Sequence, residues 1–151
     1  VGSSPNNVVS RLKTTDGSVE VSGHVPSIAR ELGEAAVAVA PMLSGSGMQN
    51  KILEAMATGT PVVATTLATR AIDVRAGRDI VIADEPEQFA DSVVRLLKDR
   101  VLSQTIGLNG RKLVETKYGW SSIVGKIEDI YRAAIARYGR RMFTQSRRPQ
   151  A

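Results

Sequence analysis

Three short, mainly apolar runs in this sequence, residues 37–40, 61–65 and 79–83, are separated by longer stretches in which apolar residues recur every three or four positions. Runs of that length suit strands buried on both faces, and the three-to-four spacing suits helices with one buried stripe. Strand and helix in alternation specify α/β architecture: a Rossmann-like parallel sheet with helices on both faces, since a parallel crossover needs a helix-length connection. Aromatic residues make up only 4% of the 151-residue chain, so Ala, Val, Leu and Ile must do the packing, which favours closely spaced helix-on-sheet layers.

The pattern predicts individual elements. Val19 and Val21 alternate with polar neighbours ahead of the turn residues Gly23 and Pro26, as in a strand. Ile28, Leu32, Ala35 and Ala36 have helical spacing, and Pro41 stops the apolar run that follows. Beyond Ser44-Gly45-Ser46-Gly47 a helix carries Ile52, Leu53, Met56 and Ala57 on one face and ends at Gly59, a residue that tolerates left-handed backbone. Asp84 or Glu85 can cap the next helix, with Pro86 in its first turn and Phe89, Val93, Leu96 and Leu97 as its stripe. A helix over 100–117 is predicted despite Gly107 and Gly110, and a last one starts near Trp120 with Ile123, Ile127, Ile130, Tyr131 and Ala134 on one face.

Composition excludes several classes. With no cysteine, disulfides, thiolate metal sites and cysteine nucleophiles are ruled out. Arg137, Arg140, Arg141, Arg147 and Arg148 account for the whole net charge of +5, so the preceding body is neutral. No aromatic-rich basic strand or helix-turn-helix pattern accompanies them, and nucleic-acid binding is not expected. No apolar run approaches the roughly 20 residues of a membrane span. Residues 1–136 are expected to form a partial domain and 137–151 a disordered basic tail able to contact anionic membrane. Val1-Gly2-Ser3-Ser4 looks like the end of a strand, so earlier βα units are expected upstream.

Chemistry concentrates between Ser44 and Glu54. A glycine-rich loop that leaves a strand and enters a helix points backbone N–H groups outward at the positive end of the helix dipole, which suits a phosphate or diphosphate. Lys51 adds a full charge, and Asn50, Lys51 and Glu54 share the face opposite Ile52, Leu53 and Met56. Glu54, one turn further on, can accept two hydrogen bonds from adjacent hydroxyls such as those of a ribose. On spacing alone, an ordinary solvated Lys51–Glu54 pair behind a flexible loop is the favoured reading, because a lone glycine-rich turn before a helix is a weak signal.

The stretch Ser46-Gly47-Met48-Gln49-Asn50-Lys51-Ile52-Leu53-Glu54-Ala55-Met56-Ala57-Thr58-Gly59-Thr60-Pro61-Val62-Val63-Ala64 resembles the signature of family 4 glycosyltransferases, retaining enzymes of the GT-B fold. Gly23-His24-Val25-Pro26 resembles the turn before the preceding helix, and Tyr118-Gly119-Trp120 the entry to the terminal helix. The Asn50-Lys51 variant is similar to a branch from bacterial exopolysaccharide systems.

The resemblance implies the C-terminal, nucleotide-sugar-binding half of such an enzyme, acting in the cytoplasm or at the membrane periphery, with the acceptor, a glycan or lipid-linked sugar, held by the other half. It places the diphosphate at Gly47, Met48, Gln49, Asn50 and Lys51, the ribose at Glu54 and the edge of the base pocket at His24 and Val25. The family's sugar-contacting glutamate maps to Ser46, a departure that leaves the donor sugar open. No metal or other cofactor is implied. For His24 the plain alternative is a surface histidine after a turn. Two other classes are weighed: a non-catalytic nucleotide-binding or glycan-assembly module, and a receiver-type signalling domain. The latter is disfavoured because no acidic pair lies near 19–23 or 37–41.

Overall fold

The computed structural model describes the backbone of residues 7–13 and 15–145 and the side chains of those residues as far as Tyr138. In chain order the elements are α1 (Asn7–Ser10), α2 (Ile28–Glu34), β1 (Ala38–Ala40), α3 (Asn50–Ala57), β2 (Val62–Ala64), α4 (Thr66–Thr69), β3 (Val81–Ile82), α5 (Pro86–Lys98), α6 (Arg100–Lys117) and α7 (Trp120–Gln145). The strands form a parallel sheet in the order β1-β2-β3, with Ala38, Val39 and Ala40 opposite Val62, Val63 and Ala64, and Val63 and Ala64 opposite Val81 and Ile82. Two compact units divide the chain, Val1–Arg111 with the sheet and Lys112–Ala151 with α7.

Apolar burial explains the layers of the first unit. Val63, fully buried, packs with Leu96 and Ile106, and Phe89, Val93 and Leu102 close around them, so α5 and the first part of α6 cover one face of β2. Strand side chains alternate, so Val62 and Ala64 face the other way. There Val62 shares a hollow with Ile52 and Ala55 of α3. Each fully buried Ile, Val, Leu or Met in this set contributes on the order of 1.5–3 kcal/mol of hydrophobic stabilisation.

Gly107 and Gly110, which looked like weak points of a helix, are the reason α6 can lie where it does. A Cβ on Gly107 would collide with the carbonyl oxygen of Gly59, and one on Gly110 would stand 2.9 Å from the carbonyl oxygen of Asp79. Both glycines are buried in α6. Asn109, between them, donates its side-chain amide to Arg78 O at 3.1 Å. The turn it meets is held by Asp79, 3% exposed, which accepts the Arg75 N–H at 3.0 Å and faces the Arg78 guanidinium at 3.5 Å.

Several expectations need correction. Residues 19–21 belong to no strand of the sheet and Val19 is 42% exposed; two valines among polar neighbours bury too little apolar surface to be drawn into it. Helix α2 stops at Glu34, leaving Ala35 extended at ψ 136° and Ala36 outside it, because the chain must straighten into β1. β1 itself is buried at Ala40 only, with Val39 53% exposed on the sheet's outer strand. Leu97 is exposed, since Phe89, Val93 and Leu96 already fill the stripe of α5.

On α7 the expected apolar face is half-buried at Ile123 and exposed at Ile127, Ile130, Tyr131 and Ala134. The helix also continues through 137–145, where a disordered tail was expected, because Arg and Met favour helix and the first proline comes at Pro149. The strand end expected at Val1 to Ser4 and the last residues, 146–151, lie outside the described residues. α4 was not anticipated.

Gly107→Ala should therefore destabilise the protein by about 1–3 kcal/mol through overpacking against Gly59. Gly125→Ala, in α7 with nothing within 4 Å of the new methyl group, should be neutral or stabilise by up to about 1 kcal/mol. Urea unfolding of the two variants beside the parent measures both, and equal stability of Gly107→Ala and parent would contradict the close approach.

Candidate functional site

Parallel strands end at one edge of the sheet, so the segments after β1, β2 and β3 gather there, at the edge where open α/β sheets bind ligands. Side-chain hydrogen bonds join these segments. Thr65, next after β2 and N-cap of α4, donates its hydroxyl to Met42 O at 2.8 Å and its N–H to Ala40 O at 3.3 Å. Thr66 donates its N–H and its hydroxyl to the two oxygens of the Asp84 carboxylate, at 2.8 and 2.7 Å. The bond from the Thr66 hydroxyl first, and that from its backbone second, hold the Asp84 carboxyl below the usual carboxylate range, against a small opposing effect of desolvation.

The loop from β1 to α3 rises from this frame. Gly45 and Gly47 take φ angles of 135° and 78°, backbone that L side chains rarely adopt. Gln49 stands at the N-cap of α3 yet makes no side-chain cap. Its amide instead donates back to Ser46 O and Gly47 O at 3.4 and 3.3 Å, so it braces the loop and leaves the first N–H groups of the helix to other acceptors. A helix start of this kind attracts an anion through its dipole and its exposed donors.

Helix α3 is fixed on its inner face by Ile52, Ala55 and Met56, each 1% exposed. It is closed at its end by two backbone bonds, Gly59 N to Met56 O at 3.0 Å and Thr60 N to Ala55 O at 3.1 Å. That pair, with Gly59 at φ 82°, is a Schellman cap, and it fulfils the expectation placed on Gly59. Thr60 also donates its hydroxyl to Leu32 O at 2.6 Å, which ties the end of α3 to α2.

With its inner face buried, α3 presents Asn50, Lys51 and Glu54 outward, all exposed, as the sequence spacing required. Ser46, Gly47 and Met48 are exposed in the loop and Gln49 is half-buried. Lys51 lines a hollow of about 270 Å³ between α2, β1 and α3, beside Glu31. Glu54 lines a neighbouring one of about 410 Å³ with Ile28, Ala29 and Thr58. Ile28 borders both hollows, so the two charged residues share the side of α3 that faces α2, whereas neither hollow is lined by the loop residues or by His24 and Val25. His24 is exposed and Val25 half-buried in the turn before Ser27, whose hydroxyl caps α2 by accepting the Arg30 N–H at 3.2 Å. Among the described residues no three His, Asp or Glu side chains group as metal ligands.

Sequence reasoning missed Thr65, Thr66 and the use of Asp84. Their signal was available: two threonines directly after one buried strand and an aspartate directly after the next, polar residues at the carboxyl ends of parallel strands.

A parallel sheet with helices on both faces, whose strand ends carry a glycine-bearing loop leading into a helix, is the Rossmann-like layer that forms half of a GT-B fold. Residues 1–99 match the family model for glycosyl transferases group 1, and the chain belongs to that family. It is 36% identical over 88 residues to the capsular polysaccharide biosynthesis glycosyltransferase CapM of Staphylococcus aureus, covering 56% of this chain and 23% of the relative. It is 33% identical over 105 residues to a phosphatidyl-myo-inositol mannosyltransferase of Mycobacterium leprae, covering 68% of this chain and 28% of that protein. An exopolysaccharide phosphotransferase of Streptomyces coelicolor is 27% identical over 134 residues, 87% of this chain and 14% of its own length. The chain thus spans between about a seventh and a little over a quarter of the curated relatives it matches. No helix among the described residues is long and apolar enough to cross a membrane.

The lowered folded-state value of Asp84 fixes the sign of one pH effect. Its charge adds stability above its unfolded value of about 3.9, and that addition is lost as pH falls through the lower folded value. Asp84→Asn should lower the melting temperature at neutral pH and narrow the gap to the parent on acidification below about pH 4. Thermal scans of both proteins from neutral to acid pH test this, and a constant gap would show that the Thr66–Asp84 bonds do not depend on the charge.

Proposed function

We propose that this chain supplies the donor-binding half of a retaining family 4 glycosyltransferase, which moves a sugar from a nucleoside diphosphate to a glycan or lipid-linked acceptor. The observation that carries the reading is the start of α3, where a glycine-bearing loop leads into uncapped N–H groups and an outward Asn50, Lys51 and Glu54. Membership of the group 1 family and relatives named for capsular polysaccharide and phosphatidyl-inositol chemistry support it.

In this reading Glu54 accepts the two ribose hydroxyls, and the edge of the base lies near His24 and Val25. Gly47, Met48, Gln49 and Asn50 offer backbone groups to the diphosphate, and Lys51 adds its charge. As the bond to the anomeric carbon breaks, negative charge grows on the departing diphosphate. Fixed N–H dipoles and an ammonium group stabilise that charge more in the transition state than in the ground state, the role that a metal ion has in other transferases. Ser46 offers a hydroxyl where the family has a carboxylate, so the transferred sugar is held less by charge and more by the backbone of Gly47 and Met48. The acceptor would be bound outside this chain, in a cleft that excludes water when it closes. The setting in this reading is the cytoplasm, with the basic stretch Arg137 to Arg148 able to contact anionic lipid at the membrane periphery.

Glu54→Gln should weaken nucleoside diphosphate binding by about 1–3 kcal/mol, the worth of hydrogen bonds to a charged group, without unfolding the chain. Lys51→Ala should weaken a diphosphate more than the matching nucleoside. Calorimetric titration with UDP, GDP, ADP and their nucleosides tests both, and unchanged affinity in Glu54→Gln would remove the ribose assignment.

For the basic end, a chain shortened after residue 136 should sediment less with anionic vesicles than the full chain, each basic residue near the surface adding about 1 kcal/mol. Equal sedimentation would remove the membrane contact.

A further inference from the structure

We infer that Thr65 is a positioning residue for the donor loop, acting through the carbonyl of Met42. The inference rests on the donor reading of residues 44–51. Thr65 is 4% exposed, so its hydroxyl lies beneath the surface that a ligand would touch. That hydroxyl donates to Met42 O at 2.8 Å and accepts the Ala68 N–H at 3.4 Å, and the two bonds together fix its direction. The next residue is fixed as well, because Thr66 gives both its N–H and its hydroxyl to Asp84.

A loop with Leu43 90% exposed and two glycines at positive φ has little packing of its own to hold it. Gln49 braces it at the far end, where the chain enters α3. At the near end Thr65 joins it to the sheet, and Asp84 and Thr66 stiffen that anchor from the third strand. A loop held in advance loses less conformational entropy when a diphosphate orders it, and its N–H groups meet the departing charge without reorganising. A nucleoside, lacking phosphates, gains nothing from this order. Selective sensitivity of diphosphates is therefore the signature of positioning, as distinct from general support of the fold.

The test compares Thr65→Val, which keeps the shape and removes the hydroxyl, with Thr65→Ser, which keeps the hydroxyl. UDP, GDP and ADP and their nucleosides are titrated into each full chain, and amide exchange is followed across residues 43–49. The valine variant should bind the responding diphosphate about five- to twenty-fold more weakly, the effect of one lost hydrogen bond, with the nucleoside affected by less than about two-fold. Exchange across the loop should quicken, and serine should restore both measurements. A folded valine variant with parental diphosphate affinity overturns the proposal, and so does an equal loss for diphosphate and nucleoside. Should the valine variant not fold, Asp84→Asn at an exposed position gives the same readings, with quicker loop exchange expected and unchanged exchange overturning the anchor. A parent bound by none of the three diphosphates removes the donor reading, and the proposal with it. A parent that binds while the valine variant binds equally removes the anchor alone.

Discussion

Strand β2 has helices on both faces and a strand on each side, and the placement of β1, β3, α3, α5 and the first part of α6 follows from covering it. Val62, Val63 and Ala64 are each at most 2% exposed. Val63 requires an apolar layer on one side, which α5 and α6 supply through Leu96 and Ile106. Its neighbours require another on the opposite side, which α3 supplies. Fully covered backbone must also be fully hydrogen-bonded, and the parallel pairings to β1 and β3 meet that demand. Gly107 allows α6 to come close enough to the backbone before β2 to close the layer.

The same strand sets up the site. Because β1, β2 and β3 run in one direction, their last residues lie together, and the polar residues that follow them can bond to one another. Met42, Thr65, Thr66 and Asp84 form that link. Burial fixes α3 by its inner face and leaves the polar residues of its outer face to chemistry. The core and the site are thus consequences of one arrangement: packing determines which way α3 rolls, and the roll determines that Lys51 and Glu54 point outward along α2.

Much of this was legible in the sequence. The period of α3 separated Ile52 and Met56 from Asn50, Lys51 and Glu54, and Gly59 marked the helix end. The limits predicted for α6, residues 100–117, coincide with those observed. The runs at 37–40 and 61–65 contain β1 and β2. The remainder depended on partners. Val19 and Val21 have strand character but lie outside the sheet, and Leu97 has the right spacing in a stripe already filled. Ile127, Ile130 and Tyr131 share a helical face that is exposed. In each case the local pattern states what a residue could bury, and the neighbour decides whether it does.

The sequence by itself determined the class of the fold, the family to which the chain belongs, and which residues share the outward face of α3. These depend on period, turn chemistry and motif, all encoded within a few residues of one another. Only the tertiary structure decided that Gly107 and Gly110 are close-approach positions in place of weak points, and that Asp84 answers Thr66 across 18 residues of chain. It alone put the Thr65 hydroxyl, 23 residues away, beneath the carbonyl of Met42. A hydrogen bond or a backbone contact between segments so far apart in sequence leaves no local periodicity. Its partners become known only when the sheet has brought the strand ends together.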